Sequence, residues 1–122
     1  QAIARACAQT GMQVREYTAA PIYFSNTGNG GHEWLVEFAQ LPDDLQYFAQ
    51  LTDEALQQLN SDYEAKRYKN IAMKPLVMHA VPPGTFYKWL ESKGKLGGQH
   101  KVPRLANHRQ YIDEIKTLCG LN

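Results

Sequence analysis

His32-Glu33-Trp34-Leu35-Val36-Glu37-Phe38 places Trp34, Val36 and Phe38 at every second position, with Glu33, Leu35 and Glu37 between them. A period of two is the signature of a strand, here with mostly one buried face. Immediately upstream, residues 25–31 read Ser-Asn-Thr-Gly-Asn-Gly-Gly, without an apolar side chain, and mark a turn. Before that turn, Val14, Tyr17 and Ile22-Tyr23-Phe24 make a second strand, interrupted or bent near Ala20-Pro21. The two strands and their glycine-rich turn predict an antiparallel hairpin.

Working outward, residues 2–10 are alanine-rich and end at Gly11, which predicts a helix with a C-terminal glycine cap. Ile3 and Cys7 share one face of it by i,i+4 spacing. Downstream, Pro42-Asp43-Asp44 opens a long helix, with acids in its first turn where the helix dipole favours them. Leu45, Phe48, Ala49, Ala55, Leu56 and Leu59 recur at three and four, so its apolar face should cover the sheet. A further helix starts at Asn60 or Ser61, and a third strand occupies residues 75–81, closed by Pro82-Pro83. Gly84-Thr85 caps a short helix through Phe86, Trp89 and Leu90. The last helix runs from about Asn107 to Leu118 with Tyr111, Ile112, Ile115 and Leu118 inward. The fold expected is α+β: a small, mostly antiparallel sheet of three to four strands packed with four to five helices.

The 122 residues suit one domain able to close its own core without a metal or disulfide staple. Hydrophobic residues at 43% and charged residues at 20% exclude a disordered or fibrous chain. No apolar run is long enough to cross a membrane, and the N-terminus has no signal-peptide core. With no initiator Met, the chain is expected to be a piece of a longer protein or a processed product. Cys7 and Cys119 stand at opposite ends and make no disulfide framework, which suits a reducing, cytoplasmic compartment. His32, His79, His100 and His108 have no metal-ligand spacing, so no metal site is expected.

The net charge of +1 conceals a division. Residues 1–62 hold two bases and eight acids, a net −6, while residues 63–122 hold eleven bases and four acids, a net +7. The basic half can face an anion, a nucleic acid, or an acidic surface of the same protein. Glu33 and Glu37 lie on one strand face about 13 Å apart and read as solvated acids rather than a catalytic pair. No nucleophile elbow, Walker A loop or dinucleotide fingerprint is present. Two groups remain. Lys93, Lys95, Lys101 and Arg104 surround Gly94, Gly97 and Gly98, a low-bulk loop in which backbone N–H groups and a lysine can reach a phosphate. Val102-Pro103 stiffens its exit. Tyr63, Arg67, Tyr68 and Lys69 form a basic-aromatic group that reads either as a nucleic-acid surface or as a helix packed by its tyrosines.

Three motifs now combine: residues 60–67 (Asn-Ser-Asp-Tyr-Glu-Ala-Lys-Arg), residues 83–86 (Pro-Gly-Thr-Phe) and residues 97–104 (Gly-Gly-Gln-His-Lys-Val-Pro-Arg). In this order and spacing they resemble the C-terminal domain of the auxin-responsive, or Gretchen Hagen, acyl acid amido synthetases, in the bacterial branch. The leading helix resembles the segment after that family's interdomain hinge, so the likeness spans the whole chain. The resemblance implies an adenylate-forming ligase that activates a small carboxylic acid with ATP and magnesium, then passes the acyl group to an amino acid. It implies a mobile C-terminal domain over residues 1–122 whose partner is its own N-terminal adenylation domain. Lys101 would be the catalytic lysine near the ATP phosphates. Gly97, Gly98, Gln99 and Arg104 would support the loop or the closed interface, with Tyr63 and Arg67 as interface candidates. Plant members carry Tyr and Thr where this chain has His100 and Val102. The domain alone is expected to be inactive and to hold no cofactor. The alternative reading is a free-standing binding or regulatory module whose basic face takes an anion or nucleic acid; a purely structural or dimerising domain is a third.

Overall fold

In the computed structural model, residues 1–24, 29–68, 73–94 and 102–121 are described. The elements are α1 (Ala2–Thr10), β1 (Val14–Phe24), β2 (Asn29–Phe38), α2 (Leu45–Leu59), α3 (Ser61–Arg67), β3 (Val77–Val81), α4 (Thr85–Ser92) and α5 (Gln110–Leu118). The three strands form one sheet in the order β1-β2-β3, and the fold is α+β as expected. The sheet is mixed. β1 pairs antiparallel with β2, as the hairpin pattern predicts, but β3 pairs parallel with β2. A parallel neighbour needs a crossover, and α2 and α3 supply it between β2 and β3.

The central strand is covered on both faces. Trp34, Val36 and Phe38 point to a core shared with Ile3 and Ala6 of α1 and Phe48 and Ala49 of α2. Leu35 points the other way, into a second core with Phe86 and Trp89 of α4 and Ile112 and Ile115 of α5. The layers are therefore helix, sheet, helix. This corrects the expectation of one buried face. It also corrects the reading of Glu33 and Glu37 as solvated acids: both share the Leu35 face and are buried, at 5% and 6% exposure.

Local details follow from the same chemistry. Gly11 closes α1 at φ 77°, a left-handed conformation that suits glycine, and donates its N–H to the Cys7 carbonyl. α2 starts at Leu45, so Asp44 is its N-cap rather than a first-turn acid, accepting the Tyr47 N–H at 3.0 Å. Asp44→Ala is expected to cost about 1 kcal/mol in urea unfolding, since one orphan N–H loses its partner. β1 runs unbroken through Pro21, which pairs with His32; its irregularity lies between Val14 and Glu16 instead. Proline is tolerated there because β1 is the first strand of the sheet. The Pro21 carbonyl is taken by Arg109 at 2.9 Å. Leu118, expected inward, is 45% exposed, while Ile112 and Ile115, with Tyr111 packed beside them, carry the apolar contact of α5.

Candidate functional site

Gly97, Gly98, Gln99 and Lys101 lie outside the described residues, as does the centre of the turn at 25–28. The structure does show how the ends of the cationic loop are held. On the entry side, α4 closes at Lys93, and Gly94 takes φ 68°. The Lys93 ammonium bonds Glu114 of α5 at 3.0 Å. On the exit side, Val102 is 5% exposed and packs into the α4–α5 core. The Pro103 carbonyl accepts the buried Thr18 hydroxyl at 2.7 Å. The Arg104 carbonyl accepts the Ala19 N–H at 3.0 Å, and the Ala106 N–H reaches the Ala19 carbonyl at 3.2 Å. Residues 104–106 thus extend the ladder along the outer edge of β1, a parallel bridge centred on Ala19 and Leu105.

Arg104 completes this anchorage. Its Nε donates to Glu16 at 3.0 Å, and its guanidinium lies 4.9 Å from the centre of the Tyr17 ring. The Glu16 carboxylate holds the Arg104 guanidinium above its ordinary value. Of the residues singled out in the loop motif, Arg104 is therefore a tether to β1. Lys101 directly precedes a buried valine, beyond which Pro103, Arg104 and Ala106 are bonded to β1. The expected stiff exit is a network of named bonds.

Tyr63 and Arg67, the interface candidates, both bond Asp53 of α2. Tyr63 is buried and its hydroxyl donates to Asp53 of α2. Arg67 grips the same carboxylate through Nε and Nη2, at 3.0 and 2.7 Å, and Gln57 adds a bond at 2.9 Å. Burial opposes the Asp53 charge, yet the bonds from Arg67 and Tyr63 hold the carboxyl below its ordinary value. Burial and then the bond to Asp53 push the Tyr63 phenol far up. The cluster joins α3 to α2 through Tyr63 and Arg67, so the helix-packing reading holds for Tyr63, while Tyr68 is 65% exposed and Lys69 lies outside the described residues. Tyr63→Phe is expected to lose about 1–2 kcal/mol in urea unfolding, because the buried Asp53 loses a donor.

A second polar cluster escaped the sequence reading. Glu33 sits on β2 beneath α5 and accepts from Arg109 at 2.5 Å, Lys116 at 2.9 Å and His79 at 2.8 Å. Burial alone would raise its pKa, but the bonds from Lys116, Arg109 and His79 reverse this and bring it down to about 2. Glu37, on the same face, accepts the Phe86 N–H at 3.1 Å and so serves an orphan donor in the first turn of α4. The division of charge along the chain is partly settled internally: Arg67, Arg104, Arg109 and Lys116 of the basic half pair with Asp53, Glu16 and Glu33 of the acidic half. The signal in the sequence was Leu35, an apolar residue between Glu33 and Glu37 on one face.

Cys7 and Cys119 are free thiols. Among the described residues, no group of three His, Cys, Asp or Glu side chains could hold a metal ion. Nor, among these residues, is any helix long and apolar enough to cross a membrane.

Comparison with known proteins agrees with this architecture. Among curated proteins none matches the chain. The solved structure described as "GH3.15 acyl acid amido synthetase" superposes with a TM-score of 0.71 at 17% identity, over 95% of this chain and 22% of that one. A second, "AtGH3.15 acyl acid amido synthetase in complex with 2,4-DB", gives a TM-score of 0.71 at 16% identity over the same shares. The chain thus spans about a fifth of the length of these two proteins, and at such identities they establish the fold. A family profile described as the GH3 family C-terminal domain matches residues 1–110, which covers all three motifs and every element before α5. The chain belongs to the GH3 family, as its C-terminal domain.

Proposed function

We propose that residues 1–122 are the mobile C-terminal domain of an ATP-dependent acyl acid–amino acid ligase, and that Lys101 is its catalytic lysine. The observation that carries this reading is the anchored exit of the cationic loop, Val102 to Ala106, within a domain of the GH3 family. A lysine that stabilises charge building on a phosphate must reach it without swinging freely, because electrostatic stabilisation depends on preorganisation. The buried Val102 and the β1 edge supply a fixed base for Lys101, and Gly97-Gly98 bring no side-chain bulk to the loop sequence.

In this account the N-terminal adenylation domain binds the carboxylic acid and the nucleotide, and the present domain closes over it. Lys101 then neutralises the phosphates during acyl adenylate formation, and the domain moves away for attack by the amino acid amine. Gly97, Gly98 and Gln99 shape the loop, while Arg104 holds its exit to β1. Magnesium would travel with ATP, and no role for it is built on the described residues of this domain. Two free thiols and the use of ATP fit a cytoplasmic setting.

The test is ligase turnover by the full-length protein over a panel of small aryl and alkyl carboxylic acids. AMP release that requires both an acid and an amino acid supports the reading, and the 122-residue chain alone should release none. A full-length protein without acid-dependent AMP release would overturn it. Tight, steeply salt-dependent binding of nucleic acid by the chain alone would favour the binding-module alternative instead.

A further inference from the structure

Leu105 is 72% exposed, although the chain on either side of it is fixed to β1. The Arg104 carbonyl and the Ala106 N–H both bond Ala19, and Arg104 is held in addition by Glu16 and the Tyr17 ring. A leucine on a free loop can fold back onto the surface, whereas this backbone ladder presents Leu105 to its surroundings in one place. Leu105 lines a cleft of about 290 Å³ together with Tyr17, Trp34 and Leu56. A second cleft, of about 270 Å³, is lined by Gln1, Ile3 and Arg15. Tyr17 and Arg104 line both, so one uneven surface runs from Gln1 to Leu105.

Two observations say what covers this surface. The first is the point of attachment. In the C-terminal domain of a GH3 protein the larger part of the molecule is joined ahead of Gln1, and Gln1 lines the cleft beside Tyr17 and Arg104. A domain tethered there is held at high local concentration against this side. The second is the lysine of the loop. Lys101 lies four residues before Leu105, and four residues of extended chain span at most about 14 Å. An ordinary interface of about 800 Å² on each partner is roughly 30 Å across, so a surface that closes over Lys101 is wide enough to cover Leu105 as well.

We propose that the face carrying Tyr17, Arg104 and Leu105 docks on the protein's own N-terminal adenylation domain during acyl adenylate formation, with Leu105 as its apolar contact. This inference rests on the ligase reading and names the surface that the closing movement uses. The face offers one leucine, one aromatic ring and an arginine whose charge Glu16 already compensates. Such a mixed surface suits a contact that forms and releases, because interfaces between domains of one chain are more polar than permanent ones.

The test is acid-dependent ATP–pyrophosphate exchange by the full-length protein, with wild type, Leu105→Glu, Leu105→Met and Leu118→Glu side by side. Leu118 is 45% exposed on α5, across the sheet from the α1–α2 layer, and serves as the control. Leu105→Glu is expected to slow exchange about tenfold or more, the loss that follows when a charge replaces a leucine buried on docking. Leu105→Met and Leu118→Glu should stay near the wild-type rate. The melting temperature should hold in all three variants, because the bonds around Leu105 are made by the backbone. With acyl adenylate supplied, amide formation by Leu105→Glu should also stay near the wild-type rate, which a general loss of structure would not allow. If Leu105→Glu does not fold, Leu105→Ala takes its place, with an expected loss of about three- to tenfold. Wild-type exchange in Leu105→Glu, or an equal loss in Leu118→Glu, would overturn the docking face and leave the ligase reading standing. A wild type without acid-dependent exchange would overturn both.

Discussion

Glu33→Ala is expected to lose about 3 kcal/mol of stability at neutral pH. The substitution removes the common acceptor of Arg109, Lys116 and His79, while Arg109 keeps its second carboxylate, Asp113, at 3.0 Å. Arg109 and Lys116 keep 29% and 19% of their side-chain surface in water, which moderates the loss below that of a fully buried pair. The pH dependence follows from the same carboxylate. Its pKa of about 2 in the fold lies below the ordinary 4.5, so its contribution is complete above pH 4.5 and declines as pH falls toward 2. The wild type should lose about 2 kcal/mol of this contribution between pH 7 and pH 3. Glu33→Gln, which cannot ionise, should lack that part of the decline. Urea unfolding at the two pH values checks both statements. A variant as stable as the wild type at pH 7 would show that the network contributes nothing.

Lys101→Ala in the full-length protein is expected to slow acyl adenylate formation on the order of 10²-fold or more, the usual cost of removing one key electrostatic contact to a developing charge. The effect should be confined to the first half-reaction. When the acyl adenylate is supplied, amide formation should proceed near the wild-type rate, because no phosphate charge then builds against Lys101. Stability should also change little, since bonds from Thr18, Ala19 and Arg104 fix the loop exit. Single-turnover measurement of the two half-reactions separates these expectations. An equal loss in both would assign the lysine to domain docking.

Much of the fold was legible because period and punctuation agree with it. The Trp34-Val36-Phe38 alternation and the glycine-rich turn mark the β1–β2 hairpin, and Gly11, Asn60 and Gly84 mark helix ends. The parallel seating of β3 was not legible, because a five-residue strand carries no mark of which way its neighbour runs. The burial of Glu33 was missed for a related reason. A glutamate is usually solvated, and its burial depends on Arg109 and Lys116, distant in sequence and brought over it by α5. Arg104 shows the limit from the other side. Composition places it in a cationic loop, but its bond to Glu16 and its place over Tyr17 make it part of the anchorage. Of the residues proposed to meet phosphate, Lys101 and its glycines rest on the motif, while their anchorage rests on the structure.

ATP–pyrophosphate exchange by the full-length protein, with wild type and Lys101→Ala side by side, tests the central claim most directly. Acid-dependent exchange that falls on the order of 10²-fold in the variant is the result expected. Acid-dependent exchange at the wild-type rate in the variant would contradict the role of Lys101 and place the phosphate contact on another residue.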